Sequence, residues 1–228
     1  MLLPMVSAQP RAASVAIYTK PILALYDIAV LGLSNRYAWR CPSAAIRRWY
    51  TAHITANHLD IGVGTGYFLP HCSYPVPRPW LTLLDRNPNS LQRAAKRLAQ
   101  HHPNTLLADA LQPLPFRAQS FDSIGLNYVL HCLPGAMATK TGMFAQLASL
   151  LRPGGRLFGA TILGQGVQQN RLARTLLHVY NTCGVFNNRA DSLADLEQGL
   201  RQHFSSYTLH VVGMAALFAG CSAPSPHN

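Results

Sequence analysis

Three closely spaced glycines follow a carboxylate at the end of a short apolar segment. Asp60 is followed by Gly62, Gly64 and Gly66. Glycine allows positive φ and lets a ligand approach the main chain without meeting a Cβ atom. The spacing G-x-G-x-G differs from the G-x-G-x-x-G of dinucleotide sites, and a carboxylate two residues before the first glycine would repel a pyrophosphate. The segment therefore predicts a site for a ligand that is cationic and also forms hydrogen bonds.

Further polar residues follow the next predicted strands. Asp85, Asp109 and Asn127 each lie at or beside the end of an apolar segment. The chain has only eight Asp and Glu residues, so it is informative that Asp60, Asp85 and Asp109 all lie at predicted strand ends. Ligands of open α/β sheets bind outside the carboxyl ends of the strands. These side chains are therefore predicted to line one site together with the glycine loop.

The elements that must position this site alternate along the chain. The pattern predicts strands at 58–62, 80–85, 105–109, 121–127, 156–161, 207–212 and 215–219. It predicts helices at 22–31, 44–53, near Tyr67, and at 88–98, 143–151, 168–183 and 191–203, with an irregular stretch at 32–42. Strands that alternate with helices indicate a parallel sheet with helices on both faces, and the close final pair indicates an antiparallel hairpin.

The 228 residues suggest one well-cored domain with additions. We expect a leader and helical lid at 1–56, a ligand-binding α/β domain at 57–222 with a helical insertion at 165–204, and a tail at 223–228. Hydrophobic residues make up 49% of the chain, yet no apolar stretch is long enough to span a membrane, and the N-terminus does not resemble a signal peptide.

Charge and cysteine content limit the partners. The net charge of +11 comes from scarce acids and scattered bases, so a basic surface is the simplest interpretation, with RNA, an anionic substrate or a carrier protein as alternatives. The five cysteines are widely spaced, without a C-x-x-C pair. They predict reduced thiols in a cytoplasmic protein, with neither a disulfide framework nor a metal site.

The ordered motifs over 58–161 resemble the class I S-adenosylmethionine (SAM)-dependent methyltransferases. The resemblance rests on Asp-Ile-Gly-Val-Gly-Thr-Gly at 60–66, Leu-Leu-Asp at 83–85, Ala-Asp-Ala at 108–110, Phe-Asp-Ser-Ile at 121–124 and Leu-Leu-Arg-Pro-Gly-Gly-Arg-Leu at 150–157. It implies a doubly wound, seven-stranded, mostly parallel α/β sheet of the Rossmann-like methyltransferase type.

The resemblance also implies roles for individual residues. Asp85, with Arg86 beside it, would bind the ribose hydroxyls, and Asp109 with Ala110 would contact the adenine. Asp60 and the glycines at 62, 64 and 66 would lie near the methionine portion, and Asn127 would contact either the amino acid portion or the acceptor.

The acceptor side is less defined by sequence. Asn127, His131, Tyr180 and Tyr26 are the candidate catalytic residues. The segment Asn-Tyr-Val-Leu-His at 127–131 departs from the Asn-Pro-Pro-Tyr pattern of methylases that act on nucleic-acid or protein amides, which favours a small-molecule acceptor. Methyl transfer from a sulfonium needs alignment more than a strong base.

A second resemblance involves the N-terminal region. The segments at 18–42, joined to 58–67, resemble a small bacterial branch that includes azetidine-2-carboxylate synthases. That resemblance implies an alternative in which SAM itself is the substrate and cyclises with release of methylthioadenosine. Methylation of a small metabolite is the leading hypothesis, while RNA methylation and non-catalytic SAM binding are further alternatives. The oligomeric state is left open.

Overall fold

A single seven-stranded sheet organises the protein, whose structure is a computed structural model that describes residues 27–224, with side chains from residue 32 onward. The strands are β1 (Asn57–Ile61), β2 (Trp80–Asp85), β3 (Asn104–Leu107), β4 (Phe121–Asn127), β5 (Leu151–Ile162), β6 (Ser206–Val212) and β7 (Ala215–Cys221). Their spatial order is β3-β2-β1-β4-β5-β7-β6. The first five strands are parallel, whereas β7 runs antiparallel to both β5 and β6. This confirms the predicted doubly wound, mostly parallel sheet with a closing hairpin.

Helices cover both faces of the sheet. Within residues 27–224 the α-helices are α1 (Ser43–His53), α2 (Pro88–Arg97), α3 (Met137–Lys140), α4 (Met143–Leu150), α5 (Arg171–Thr182) and α6 (Leu193–His203). Apolar side chains of α1, α2 and α5 belong to one buried cluster, and those of α4 and α6 belong to a second. The two clusters are the two layers that a doubly wound sheet requires.

The start of α2 shows how the sequence positions an element beside the site. Asn87 adopts an extended conformation, and its side chain accepts a hydrogen bond from the Asn89 amide at 2.8 Å. Pro88 takes the first helical position, where its missing N–H costs nothing. The helix therefore begins directly after the Asp85 turn, as predicted.

Three local predictions were wrong. No α-helix follows Tyr67, because the chain makes only a 3₁₀ turn at Leu69–His71 before prolines at 75, 77 and 79 interrupt helical hydrogen bonding. A π-helical segment, Asp27–Ala38, runs through most of the stretch expected to be irregular. Strand β5 begins at Leu151, earlier than predicted. The predicted Pro-Gly-Gly turn therefore lies inside this strand, where the pairing with β4 shifts register between Phe121 and Ser123.

The N-terminal segment is tied to the closing hairpin. The Met214 amide donates to the Trp39 carbonyl at 2.8 Å, and Trp39 is 1% exposed. Gly213 has φ +60°, and a Cβ there would collide with the Trp39 and Arg40 carbonyls. Only glycine combines that conformation with so close an approach. The predicted leader at 1–13 and the predicted helix before residue 27 lie outside the described residues.

Candidate active site

The glycine loop leaves β1 where the strand order reverses between β1 and β4. The Gly62 amide donates to the Leu84 carbonyl at 2.7 Å, which closes the loop onto β2. Gly62 has φ +65°, and a Cβ there would collide with Cγ2 of Val129. A Cβ on Gly66 would lie 3.0 Å from that of Ala94 in α2. The glycines therefore let the loop pass tightly between β4 and α2.

Asp60 contributes a buried carboxylate at the end of β1. Its side chain is 3% exposed. Oδ2 accepts a hydrogen bond from the Tyr50 hydroxyl at 2.7 Å and lies 3.3 Å from Nε2 of His58. Nδ1 of His58 in turn lies 2.8 Å from the Ser123 hydroxyl. Burial, followed by the Asp60 charge, raises the pKa of Tyr50 well above its usual range, so Tyr50 stays a neutral donor. This network fixes the orientation of the Asp60 carboxylate.

Asp85 holds the glycine loop from the end of β2. Its Oδ2 accepts from the Gly64 amide at 3.0 Å and its Oδ1 accepts from the Asn87 amide at 2.9 Å. Burial raises the pKa of Asp85, while these amide hydrogen bonds oppose the rise. One carboxylate thus connects the glycine loop to the start of α2.

Asp109 occupies the corresponding position beyond β3. Its Oδ1 accepts from the Leu111 amide at 3.0 Å, and its Oδ2 lies 3.6 Å from Nε of Arg86. Strand β3 itself ends at Leu107, two residues earlier than predicted. Asp109 therefore lies in the turn after the strand, with the buried Ala110 beside it.

Asn127 ends β4 with an amide that has unused hydrogen-bonding capacity. The residue is 8% exposed, and neither its Oδ1 nor its Nδ2 forms a hydrogen bond of good geometry among the described residues, although its side chain lies near enough to the Tyr50 hydroxyl to lower the pKa of Tyr50 slightly. Leaving such a group unsatisfied costs about 1–3 kcal/mol. The next residue, Tyr128, has φ +57°, a rare conformation for a bulky side chain. Backbone of this kind is concentrated at functional sites.

These groups line one cavity of about 1130 Å³, open to solvent, at the carboxyl ends of β1, β2 and β4. All nine residues predicted to bind the cofactor contribute to its wall: Asp60, Gly62, Gly64, Gly66, Asp85, Arg86, Asp109, Ala110 and Asn127. The structure thus brings together carboxylates from three strand ends, the glycine loop and an unsatisfied amide.

Two of the other candidate catalytic residues, His131 and Tyr180, lie outside the wall of this cavity. His131 is 3% exposed, and its Nδ1 accepts a hydrogen bond from the Ile162 amide at 3.2 Å. Burial and, to a lesser extent, the charge of Lys140 lower its pKa to about 3. Tyr180 packs against the rings of Trp39 and Phe186, outside the cavity wall. Tyr26 lies outside the described residues.

Sequence reasoning missed several residues of the cavity wall. Tyr50 falls in the predicted helix at 44–53, four residues after Ile46, where an apolar core position is expected, yet its hydroxyl reaches Asp60. Tyr67 and Phe68 follow the glycine loop directly and were assigned to a helix that does not form. Cys132 also lines the cavity, and burial raises the pKa of its thiol to about 12.

Fold and cavity together define the class of protein. A seven-stranded sheet with an antiparallel final strand, a glycine loop after β1 and acidic residues after β2 and β3 is the arrangement that the sequence resemblance implies. Residues 59–157 match the family model described as "Methyltransferase domain".

Full-length relatives support the same assignment. The chain is 40% identical over 201 residues to demethylluteothin O-methyltransferase of Streptomyces thioluteus, covering 88% of this chain and 87% of that protein. It is 35% identical over 211 residues to the physcion biosynthesis cluster O-methyltransferase of Aspergillus chevalieri, covering 92% of this chain and 95% of that protein. The chain therefore belongs to the SAM-dependent methyltransferases, and SAM is its cofactor.

Solved structures share the fold at low sequence identity. DhpI in complex with S-adenosylhomocysteine (SAH) superposes with a TM-score of 0.68 at 17% identity, over 97% of this chain and all of that one (100%). Phosphoethanolamine N-methyltransferase 2 of Haemonchus contortus, also with SAH, gives a TM-score of 0.69 at 14% identity, over 97% of this chain and 62% of that one.

Two further findings bear on the remaining expectations. Within residues 27–224, none of the helices has the length and apolar character needed to cross a membrane. The five cysteines are all free thiols.

Proposed function

We propose that this enzyme transfers the methyl group of SAM to an acidic hydroxyl of a small metabolite. One observation supports the proposal above the others, namely that Asp60, Asp85 and Asp109 meet the glycine loop in a single cavity. The relatives named above are described as O-methyltransferases, which favours oxygen as the acceptor atom.

The chemistry of the cavity fits SAM. Asp60, held by Tyr50 and His58, would face the ammonium of the methionine portion. Asp85 would accept hydrogen bonds from the ribose hydroxyls, since a carboxylate offers two acceptor oxygens with about four lone-pair sites. Asp109 would accept from the adenine amino group. When bound, SAM supplies a methyl group already activated by its positive sulfur.

Asn127 has the position and chemistry for the amino acid portion or the acceptor. Its amide offers both donors and an acceptor in a buried wall, and neither atom forms a hydrogen bond of good geometry among the described residues. The left-handed Tyr128 that follows anchors its amide on the Ala160 carbonyl at 2.7 Å and its hydroxyl on Asn35 at 2.9 Å. We infer that this pair of residues presents the Asn127 amide in a fixed orientation.

The cavity favours an acceptor that ionises easily. Among the described residues of its wall there is no histidine, and burial keeps Tyr50 and Cys132 protonated. Asp60 and Asp85 are engaged in hydrogen bonds. A phenol or an enol releases its proton to water near neutral pH far more readily than an aliphatic alcohol, so its oxygen would be ready to accept the methyl group without a strong base. The protein then contributes alignment and exclusion of water.

Cyclisation of SAM to azetidine-2-carboxylate receives no support from the relatives named above. Methyl transfer is therefore the reaction we propose. The free cysteines support a reducing compartment, and we propose the cytoplasm as the location.

Calorimetric titration of two ligands tests the assignment of the cavity. SAM has an ammonium group, whereas methylthioadenosine has the same adenosine without it. We expect Asp60→Asn to weaken SAM binding by about tenfold or more, with little change for methylthioadenosine, because a hydrogen bond to a charged group contributes about 1.5–3 kcal/mol. Asp85→Asn should weaken both ligands.

Asp122→Asn is the matched control. Asp122 pairs with Arg152 at 2.9 Å at the opposite end of β4, with its side chain 34% exposed. It should leave both affinities unchanged. If Asp60→Asn and Asp85→Asn bind both ligands like the wild type, the cavity is not the SAM site.

A further inference from the structure

We propose that a second cavity beside the SAM site binds the part of the acceptor remote from the methylated hydroxyl, and that Arg189 recognises an anionic oxygen group there. This inference rests on the proposed function. The second cavity has about 970 Å³ of space, open to solvent, and adjoins the first because Arg86 and Cys132 line both. Its other walls come from 134–136, from Asn181 near the end of α5, and from the loop between α5 and α6.

The wall of the second cavity is positively charged. It includes Arg86 and Arg189, and none of the residues that line it is acidic. Arg86 lies 3.6 Å from Asp109, so its charge is partly compensated. Arg189 has no ion pair within the described part of the chain, and its Nη2 contacts only the neutral Thr182 hydroxyl at 3.4 Å. Arg189 is therefore the uncompensated charge of this wall.

A buried ion pair anchors the loop that carries Arg189. Nζ of Lys140 lies 2.8 and 2.6 Å from the two carboxylate oxygens of Asp191, and it also donates to the Asn187 carbonyl at 2.6 Å. Both charged side chains are 0% exposed. Such a buried ion pair adds little to the free energy of unfolding. Its effect here is to fix the loop on which Arg189 lies.

Hydrogen bonds of the neighbouring residues fix the same loop. The Asn187 amide donates to the His131 carbonyl at 2.7 Å. The Asn188 side chain, 0% exposed, donates to the Ile162 carbonyl at 3.0 Å. By contrast, Arg189 and the Asn187 side chain are exposed. A rigid loop with exposed donors loses little conformational entropy when a ligand binds, which is the usual advantage of a preformed site.

The chemistry of the wall defines the ligand class. A guanidinium binds carboxylates and other planar anionic oxygens through paired N–H donors. The shared wall at Cys132 is neutral, since burial raises the pKa of that thiol to about 12. An acceptor with its phenol or enol in the first cavity and a carboxylate in the second matches both sites.

Three related probes test this inference on the full chain saturated with SAH. 3-(4-Hydroxyphenyl)propionate is anionic, its methyl ester is neutral, and tyramine is cationic. We expect calorimetry to give a dissociation constant about tenfold lower for the carboxylate than for the ester, and higher still for tyramine, as hydrogen bonds to charged groups predict. Arg189→Gln should reduce the preference for the carboxylate to about twofold or less while SAH binds as before.

Arg171→Gln is the matched control, because Arg171 is an exposed arginine at the start of α5 outside both cavity walls. It should keep the full preference. Equal binding of the carboxylate and the ester by the wild type, or equal losses in the two arginine variants, would overturn the inference. Methylation of neutral phenols without any preference for the carboxylate would refute the second site and leave the proposed function standing. A preference that depends on Arg189, in a protein that methylates no hydroxyl, would support the second site and contradict the reaction.

Discussion

Replacing Gly62 by alanine should destabilise the protein through two separable effects. Gly62 has φ +65°, and a new Cβ would collide with Val129. The left-handed conformation costs about 1–2 kcal/mol for alanine, partly offset by about 0.4–1 kcal/mol from the reduced freedom of the unfolded chain. Overpacking against Val129 adds about 1–3 kcal/mol. We therefore expect a total loss of about 1–5 kcal/mol in the free energy of unfolding.

Gly154→Ala separates the conformational effect from the collision. Gly154 has φ +73°, and a Cβ there would meet nothing within 4 Å. We expect it to cost only about 1 kcal/mol, since the reduced freedom of the unfolded chain offsets part of the conformational cost. Urea unfolding of the ligand-free proteins gives both values without a contribution from SAM binding.

The collision can also be relieved directly. Val129→Ala removes the Cγ2 atom that the new Cβ would meet, at its own cost of about 1.6 kcal/mol for two buried carbons. In the double variant with Gly62→Ala, we expect the two changes to be less than additive by about 1–3 kcal/mol. If Gly62→Ala is no more destabilising than Gly154→Ala, or the double variant shows strict additivity, this explanation of the loop is refuted.

Two further predictions concern buried titratable side chains. Lys140→Met leaves the Asp191 carboxylate buried without its partner and should destabilise the protein by about 3–5 kcal/mol in urea unfolding. Adding Asp191→Leu should recover part of this loss. A double variant less stable than Lys140→Met would contradict this explanation. Burial lowers the pKa of His131 from 6.5 to about 3. Below about pH 6 the imidazole therefore binds a proton in the unfolded chain but not in the folded protein. As the pH is lowered from about 6 to 4, the free energy of unfolding of the wild type should therefore fall by about 1.4 kcal/mol per pH unit more than that of His131→Asn. Urea titrations of both proteins at several pH values measure this difference. Parallel pH profiles of the two proteins would refute the claim.

The sequence predicted most where local chemistry and strand periodicity agree. Apolar segments that end in Asp60 and Asp85 mark β1 and β2, and the carboxyl ends of adjacent parallel strands necessarily meet. Asn87 followed by Pro88 marks the start of α2 because both residues favour that position individually. The sequence could therefore predict, one by one, nine residues that line the cavity, while their contacts with SAM stay predictions.

The acceptor side depended on tertiary contacts that sequence does not reveal. His131 lies only a few residues beyond Asn127, yet the short 3₁₀ turn Leu130–Cys132 carries its ring to Thr161 and Ile162, away from the cavity. Tyr180 packs into an aromatic cluster whose members are far apart in sequence. Periodicity explains both as ordinary core residues, and only the fold shows where each ring lies.

The helix predicted near Tyr67 does not form, and the nearby sequence contains the reason. The alternation of strands and helices predicts a helix there, but the prolines at 75, 77 and 79 remove amide donors at close intervals. The loop that results lets Tyr67 and Phe68 line the cavity.

The fate of the SAM methyl group tests the account most directly. SAM with a ¹³C-labelled methyl group is incubated with the purified protein, first alone and then with a panel of phenols and enols, and the products are resolved by mass spectrometry. We expect no consumption of SAM alone, and SAH together with an O-methylated, ¹³C-labelled product when a suitable acceptor is present. Formation of methylthioadenosine and a cyclic amino acid from SAM alone would contradict it.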